Sequence, residues 1–175
     1  FLSDYILVWI GNPSYTKVPE AHFMWEARYR GAKVVSIAPD YNASTIHADR
    51  WLNVRFGTDA ALALGMVSVI LEEGLHDVAY IKEQTDLPFL VRTDTGQYLR
   101  ESDVYEDGSD AVFFVWNTLT GRKESPTGSW GSTYSTIAAD EELDPALEGS
   151  HRVRLLNGKT VTVRPVFELL KKRAA

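Results

Sequence analysis

Four residues with side chains suited to holding a nucleotide each follow an apolar run: Asn12, Asp40, Thr58 and Asp59. Asn12 lies in Gly11-Asn12-Pro13 after DYILVWI, Asp40 closes KVVSIAPD, and Thr58 and Asp59 follow NVRFG. Glycine lets a phosphate come close to the backbone, and asparagine offers both a donor and an acceptor. An acidic residue after a second strand can accept hydrogen bonds from ribose hydroxyls. A carboxylate such as Asp59 can accept two parallel hydrogen bonds from guanine, one from N1–H and one from the N2 amino group. Adenine has no such donor pair. Taken singly, each residue also has a plainer use. Asn, Gly and Pro make ordinary turns, Asp40 can cap a short helix, and an Asp in a first helical turn complements the helix dipole.

The elements that must position these residues repeat three times as strand, turn and helix. The continuous apolar run at 5–10 reads as a buried parallel strand, and the strand-like runs at 33–38 and 51–56 as the second and third strands. Helical spacing at 21–30 ends at Gly31, and residues 43–49 suit a short helix. Thr58 is a favoured N-cap for an apolar helix over 60–73, and 76–85 reads as a further helix. This order predicts an α/β fold, a Rossmann-like parallel sheet with flanking helices over residues 1–87, with right-handed crossovers. Ligands of such sheets bind beyond the strand C-termini, where the four polar residues fall. Residues 88–175 read as a β-rich extension. It holds strand candidates at 89–92, 97–99 and 112–117, a long polar excursion over 120–144, a hairpin over 152–163 turning at Asn157-Gly158, and a final helix over 166–173. Pro165 opens that helix, and Lys171, Lys172 and Arg173 complement its C-terminal end.

The 175 residues are 45% hydrophobic and 11% aromatic, enough for a genuine core. A net charge of −6 with no basic stripe argues against a nucleic-acid backbone partner. The chain has no cysteine, so it offers no thiolate for iron–sulfur clusters or zinc. No apolar run approaches the roughly 20 residues of a membrane span. The G-x-G-x-x-G dinucleotide fingerprint, the P-loop, the nucleophile elbow and H-E-x-x-H are all missing. His22 and His47 lie in helical stretches without a nearby catalytic partner, while His76 and His151 read as surface positions. Trp9, Trp25 and Trp51 fit core positions in strand and helix patterns. The abrupt start at Phe1 predicts a piece of a longer protein.

Together, WIGNPSYTKVPEAHFMWEARYRGAKVVSIAPDYN and HADRWLNVRFGTDAALALGM resemble the catalytic subunits of molybdopterin oxidoreductases of the dimethyl sulfoxide reductase family. The similarity is to the branch holding respiratory nitrate, selenate, chlorate and perchlorate reductases, ethylbenzene dehydrogenase and nitrite oxidoreductase. EQTDLPFLVRTDTGQYLRESD and ALEGSHRVRLLNGKTVTVRPVFELLK extend it over most of the chain. The resemblance implies binding of a bis(molybdopterin guanine dinucleotide) cofactor. Trp9, Gly11, Asn12 and Pro13 would approach pterin and diphosphate. Ala38, Asp40 and Tyr41 would line the nucleotide, and Gly57, Thr58 and Asp59 would receive the guanine. Ile10 stands where many members of the family place glycine.

The resemblance further implies that this is a middle domain of a bacterial or archaeal subunit, periplasmic or membrane-associated. The iron–sulfur ligands and the aspartate that binds molybdenum would lie upstream, so the segment itself holds neither a catalytic residue nor a metal ligand. Its partners would be the rest of the catalytic subunit and an iron–sulfur electron-transfer subunit. The parent would carry out two-electron oxygen-atom transfer or hydroxylation in anaerobic respiration. Two alternatives stay open from the residues alone: a stand-alone Rossmann-like NAD-dependent oxidoreductase, and a non-catalytic nucleotide-binding or interaction module.

Overall fold

The computed structural model describes residues 2–126 and 142–175, in two compact units, Phe1–Ala63 and Leu64–Ala175. In the first, β1 (Tyr5–Trp9), β2 (Lys33–Ile37) and β3 (Arg50–Leu52) form one parallel sheet in the order β1-β2-β3. The register pairs Tyr5 with Lys33 and Val35 with Arg50. The three apolar runs are thus adjacent and parallel, as their patterning predicts. The third strand is shorter than expected and starts one residue earlier. Phe56, placed in that strand from sequence, is 89% exposed beyond its end.

β2 is the hub of this unit: Val34, Val35, Ser36 and Ile37 are all buried. The crossover from β1 runs through a single turn, α1 (Pro13–Thr16), and then α2 (Val18–Tyr29), which buries Ala21 and Ala27. Gly31 adopts φ +107 just after α2, a conformation that costs glycine little. Asp49 ties the return together. Its carboxylate accepts from the Val34 backbone N–H at 2.8 Å and from Arg28 Nε at 3.2 Å. The Val34 N–H, and to a lesser degree Arg28, hold this carboxyl below its ordinary range.

A serine in the middle of a buried strand needs an acceptor or donor of its own. Ser36 finds it in Thr45, at 2.7 Å between hydroxyl oxygens, and both residues are almost fully buried. Thr45 opens the 3-10 turn Thr45–His47, which replaces the short helix expected over 43–49. Asn42 holds the same turn, its Oδ1 accepting from the backbone N–H groups of Ser44 (3.0 Å) and Thr45 (3.2 Å).

The apolar helix of the sequence reading is α3 (Asp59–Glu72), and it crosses the border between the two units. None of its residues is buried among the described residues, with Val69 51% and Ile70 41% exposed. Such a helix keeps its apolar surface only when something covers it. α4 (Val78–Gln84) follows, capped by Asp77, whose carboxylate accepts from the Tyr80 backbone N–H at 3.0 Å.

In the second unit, the Asn157-Gly158 hairpin joins β7 (His151–Arg154) to β8 (Thr160–Pro165). The hairpin belongs to more than the expected appendage: β4 (Leu90–Arg92) pairs with the other edge of β8, giving an antiparallel sheet β4-β8-β7. Leu90, Leu99, Phe114, Val153, Leu155, Val161 and Val163 form its core. The strand candidate at 97–99 contributes only an isolated bridge, between Tyr98 and Val91. The chain ends in α5 (Val166–Ala174), with its three basic residues in the last turn.

Within the excursion predicted over 120–144, the described residues include a strand. Residues Arg122–Glu124 form a strand, β6, that pairs with β5 (Val115–Asn117) around Gly121 at φ +66. The remainder from 127 to 141 lies outside the described residues. Its base is pinned by Asn117, fully buried: Nδ2 donates to the Glu142 carbonyl at 2.7 Å, and Oδ1 accepts from Asp144 N at 3.2 Å. His151, read as a surface position, is half-buried and stacks on Trp116 with centroids 3.9 Å apart and planes 9° apart. Burial pushes its pKa down. His76 is likewise partly covered, its ring 5.4 Å from that of Phe167.

Two outcomes test these readings. Thr45→Val keeps the shape but strands the Ser36 hydroxyl, and should cost about 1–3 kcal/mol. The double variant Ser36→Ala/Thr45→Val should recover most of that loss, measured by denaturant unfolding. Additive losses would show that the two hydroxyls do not depend on one another. The second test concerns Asp94, which accepts a two-pronged contact from Arg92 (3.2 and 3.1 Å) and a third from Lys159 at 3.3 Å. These contacts, Arg92 first, lower its pKa from 3.8 to about 2. A depressed folded pKa means stability that is complete above the unfolded value and lost as pH falls through the folded one. The melting temperature advantage of wild type over Asp94→Asn should therefore shrink between pH 4 and pH 2. A constant difference over that interval would refute it.

Candidate nucleotide-binding edge

Because β1, β2 and β3 run parallel, their C-terminal ends reach one edge of the sheet, and the three polar blocks follow from there. Side-chain hydrogen bonds then join the blocks to each other. Asn12 Oδ1 accepts from Ser44 Oγ at 2.8 Å and from Ser44 N at 3.2 Å. Ser44 Oγ in turn accepts from the Ser14 backbone N–H at 3.0 Å. The loop after β1 is thereby fastened to the loop after β2. An amide whose oxygen is engaged in this way has a fixed orientation, so its two Nδ2–H donors have one too.

Trp9, the last residue of β1, makes the second link. Its indole Nε1–H donates to Asp59 Oδ1 at 2.7 Å, joining residues fifty positions apart in sequence. Both are half-buried. Trp9 therefore does more than fill a core position. Thr58 occupies the end of the preceding turn, but its hydroxyl donates backwards to the Arg55 carbonyl at 2.7 Å. Its carbonyl receives the Leu62 N–H. Gly57, at φ +79, makes the turn that delivers Asp59 to the first turn of α3.

The block after β2 is partly built and partly open. The Ala38 carbonyl accepts from Trp51 Nε1 at 2.8 Å, and Ala38 itself is buried. Tyr41 is exposed and meets Trp51 edge-on, centroids 5.2 Å apart. Asp40 is exposed and sits at this same edge. The ten residues singled out from the sequence thus lie at the strand ends, on the three loops that follow them, or, for Pro13 and Asp59, at the first position of the next helix.

Sequence reasoning missed Ser14 and Ser44. Ser44 is fully buried and bonded to two loops, while the Ser14 hydroxyl is buried with no hydrogen-bond partner among the described residues. The signal for Ser44 was present in Asn42-Ala43-Ser44-Thr45, a run typical of side-chain-stabilised turns. Among the described residues, no group of three or more His, Asp or Glu side chains is arranged to hold a metal ion, and no helix is long and apolar enough to cross a membrane.

Ile10 carries the strain of this edge. It has φ +49, the one positive value at a non-glycine position among the described residues, and its N–H donates to the Ile37 carbonyl at 2.8 Å. A β-branched residue is poorly suited to this region, where glycine fits without cost. The side chain is 59% exposed, so little packing would be lost with it. Ile10→Gly should therefore stabilise the protein by roughly 1 kcal/mol, read as a higher denaturation midpoint. A lower midpoint would show that the Ile10 side chain contributes more than its backbone costs.

Residues 2–159 match the family described as molybdopterin oxidoreductase. The chain is 46% identical over 191 residues to the perchlorate reductase alpha subunit of Dechloromonas aromatica, covering 99% of this chain and 21% of that subunit. It is 49% identical over 175 residues to the dimethylsulfide dehydrogenase alpha subunit of Rhodovulum sulfidophilum, covering 100% of this chain and 19% of the relative. The chlorate reductase alpha subunit of Ideonella dechloratans is 47% identical over 171 residues, covering 98% and 18%. The chain spans about a fifth of the length of these relatives. The family match covers most of the residues and relatives named as alpha subunits align with nearly the whole chain: this chain belongs to the molybdopterin oxidoreductases.

Proposed function

We propose that the edge built by the three loops binds the guanine dinucleotide part of a molybdopterin cofactor within the catalytic subunit of a molybdenum oxidoreductase. The observation that carries this reading is the convergence of Asn12, Ala38, Asp40 and Asp59 at the C-terminal edge of a parallel sheet, cross-linked through Ser44 and Trp9. That edge is where open α/β sheets take their ligands. Family membership favours it over a stand-alone NAD-dependent enzyme, as does the lack of a glycine fingerprint.

The residues present fit an anionic, purine-bearing group. The buried Ser14 hydroxyl has no protein partner among the described residues, and an anionic diphosphate oxygen would supply one. Asn12, with Oδ1 engaged by Ser44, has its Nδ2–H donors for the same oxygens. Gly11 and Pro13 keep that loop close and stiff. Asp40 would accept from ribose hydroxyls, with Tyr41 beside the nucleotide. Asp59 Oδ2, together with the second lone pair of Oδ1, would accept from guanine N1–H and N2–H, while Gly57 and Thr58 admit the base.

The bound cofactor would supply two-electron chemistry at molybdenum, for oxygen-atom transfer or hydroxylation in anaerobic respiration. An iron–sulfur cluster of the parent would pass the electrons to an iron–sulfur partner subunit. The cysteine-free segment would ligate neither, and its own residues would bind and orient. Three relatives named for perchlorate, dimethylsulfide and chlorate match at 46%, 49% and 47%, so substrate choice would rest on residues outside this segment. The remainder of the catalytic subunit is the natural cover for the unburied face of α3.

The test is Asp59→Asn in the complete polypeptide. An amide turns one acceptor into an NH₂ facing a guanine donor, leaving a partly buried group unpaired at about 1–3 kcal/mol. A simple helix-end role is worth about 0.3–1 kcal/mol and would appear as lost fold stability instead. The variant should fold normally and release less GMP per polypeptide on acid hydrolysis. Undiminished GMP with a lowered melting temperature would leave Asp59 as a helix-end residue only.

A further inference from the structure

We infer that Trp9 is a positioning residue for base recognition: its indole N–H locks the Asp59 carboxylate in the rotamer and plane that a guanine edge requires. The inference rests on the reading of Asp59 as the guanine acceptor. A carboxylate turns freely about its Cβ–Cγ bond unless something holds it, and a two-pronged contact needs both oxygens in the plane of the base. Among the hydrogen bonds of the described residues, the Trp9 contact at 2.7 Å is the one that holds this carboxylate. It engages one lone pair of Oδ1, leaving the second for one guanine donor and Oδ2 for the other.

The donor is itself rigidly placed. Trp9 ends β1, paired in register with Ile37 of the buried strand β2. The next residue, Ile10, is held in its positive-φ turn by the Ile37 carbonyl at 2.8 Å. The indole thus projects from the paired end of β1 to the first turn of α3. Tryptophan suits the task because its ring nitrogen is a donor only. It cannot accept from guanine, and it does not titrate.

The experiment uses the apo form of the complete polypeptide, titrated calorimetrically with GDP and with IDP. IDP lacks the N2 amino group, so the ratio of the two affinities reports the second carboxylate oxygen alone. Trp9→Phe keeps an aromatic side chain, though a smaller one, and removes the N–H. It should weaken GDP about five- to tenfold and lower the GDP/IDP ratio, a change that a general loss of stability does not produce. Trp9→His, which keeps a ring N–H, should restore part of the ratio and serves also if the phenylalanine variant does not fold. In an Asp59→Asn background, Trp9→Phe should change the ratio no further. A GDP/IDP ratio in folded Trp9→Phe equal to that of wild type would overturn the inference while leaving the role of Asp59 intact. If wild type binds GDP no better than Asp59→Asn does, the reading of Asp59 fails and takes this inference with it.

Discussion

A single buried hydroxyl organises the first unit. β2 is covered on both faces, yet its fourth residue is Ser36, and a buried hydroxyl without a partner costs free energy comparable to a lost hydrogen bond. Thr45 answers it, and in doing so fixes a 3-10 turn directly beyond the strand. Ser44, the residue before, is then presented to Asn12 and to the Ser14 backbone. One requirement of hydrogen-bond satisfaction in the core is thereby transmitted to the polar edge. The orientation of Asn12 at the surface is set by a serine inside.

The same economy appears at the other end of the edge. Trp9 lies at the end of β1 and Asp59 at the start of α3, and the hydrogen bond between them closes a loop of fifty positions without any backbone pairing. The turn after Trp9 is strained at Ile10, and the Ile37 carbonyl holds it in place. Strain at a non-glycine residue persists only where the surroundings over-determine it, and such places coincide with ligand-contacting loops more often than chance. Here it falls between the indole that grips Asp59 and the asparagine that grips Ser44.

Much of this was legible from the order of residues. Apolar runs such as KVVSI announce buried parallel strands because both faces must be covered, and Asn157-Gly158 announces a hairpin because its backbone conformation suits few other pairs. Both readings depend on interactions within a few residues. Where the sequence misled, a particular hydrogen-bond or stacking partner decided the outcome, and composition does not name that partner. Residues 122–124 look like part of a polar excursion until they pair with Val115–Asn117. Thr58 takes the N-cap position before α3, its carbonyl accepting the Leu62 N–H, yet its hydroxyl turns back to the Arg55 carbonyl instead of capping the helix. His151 reads as a surface residue until Trp116 covers its ring. The family resemblance was legible in three short blocks, each at the end of a strand of the parallel sheet.

The sequence by itself determined the parallel sheet, the hairpin and the kinds of side chain available at the sheet edge. Each of these follows from local periodicity, turn chemistry or composition. Only the tertiary structure decided how those side chains are engaged: that Asn12 gives its oxygen to Ser44, that Ser14 keeps a buried hydroxyl without a partner among the described residues, and that Trp9 donates to Asp59. The physical reason is distance along the chain. A hydrogen bond between residues thirty or fifty positions apart leaves no periodic trace in the sequence. It exists because parallel strands bring their C-terminal ends, and everything that follows them, to the same place.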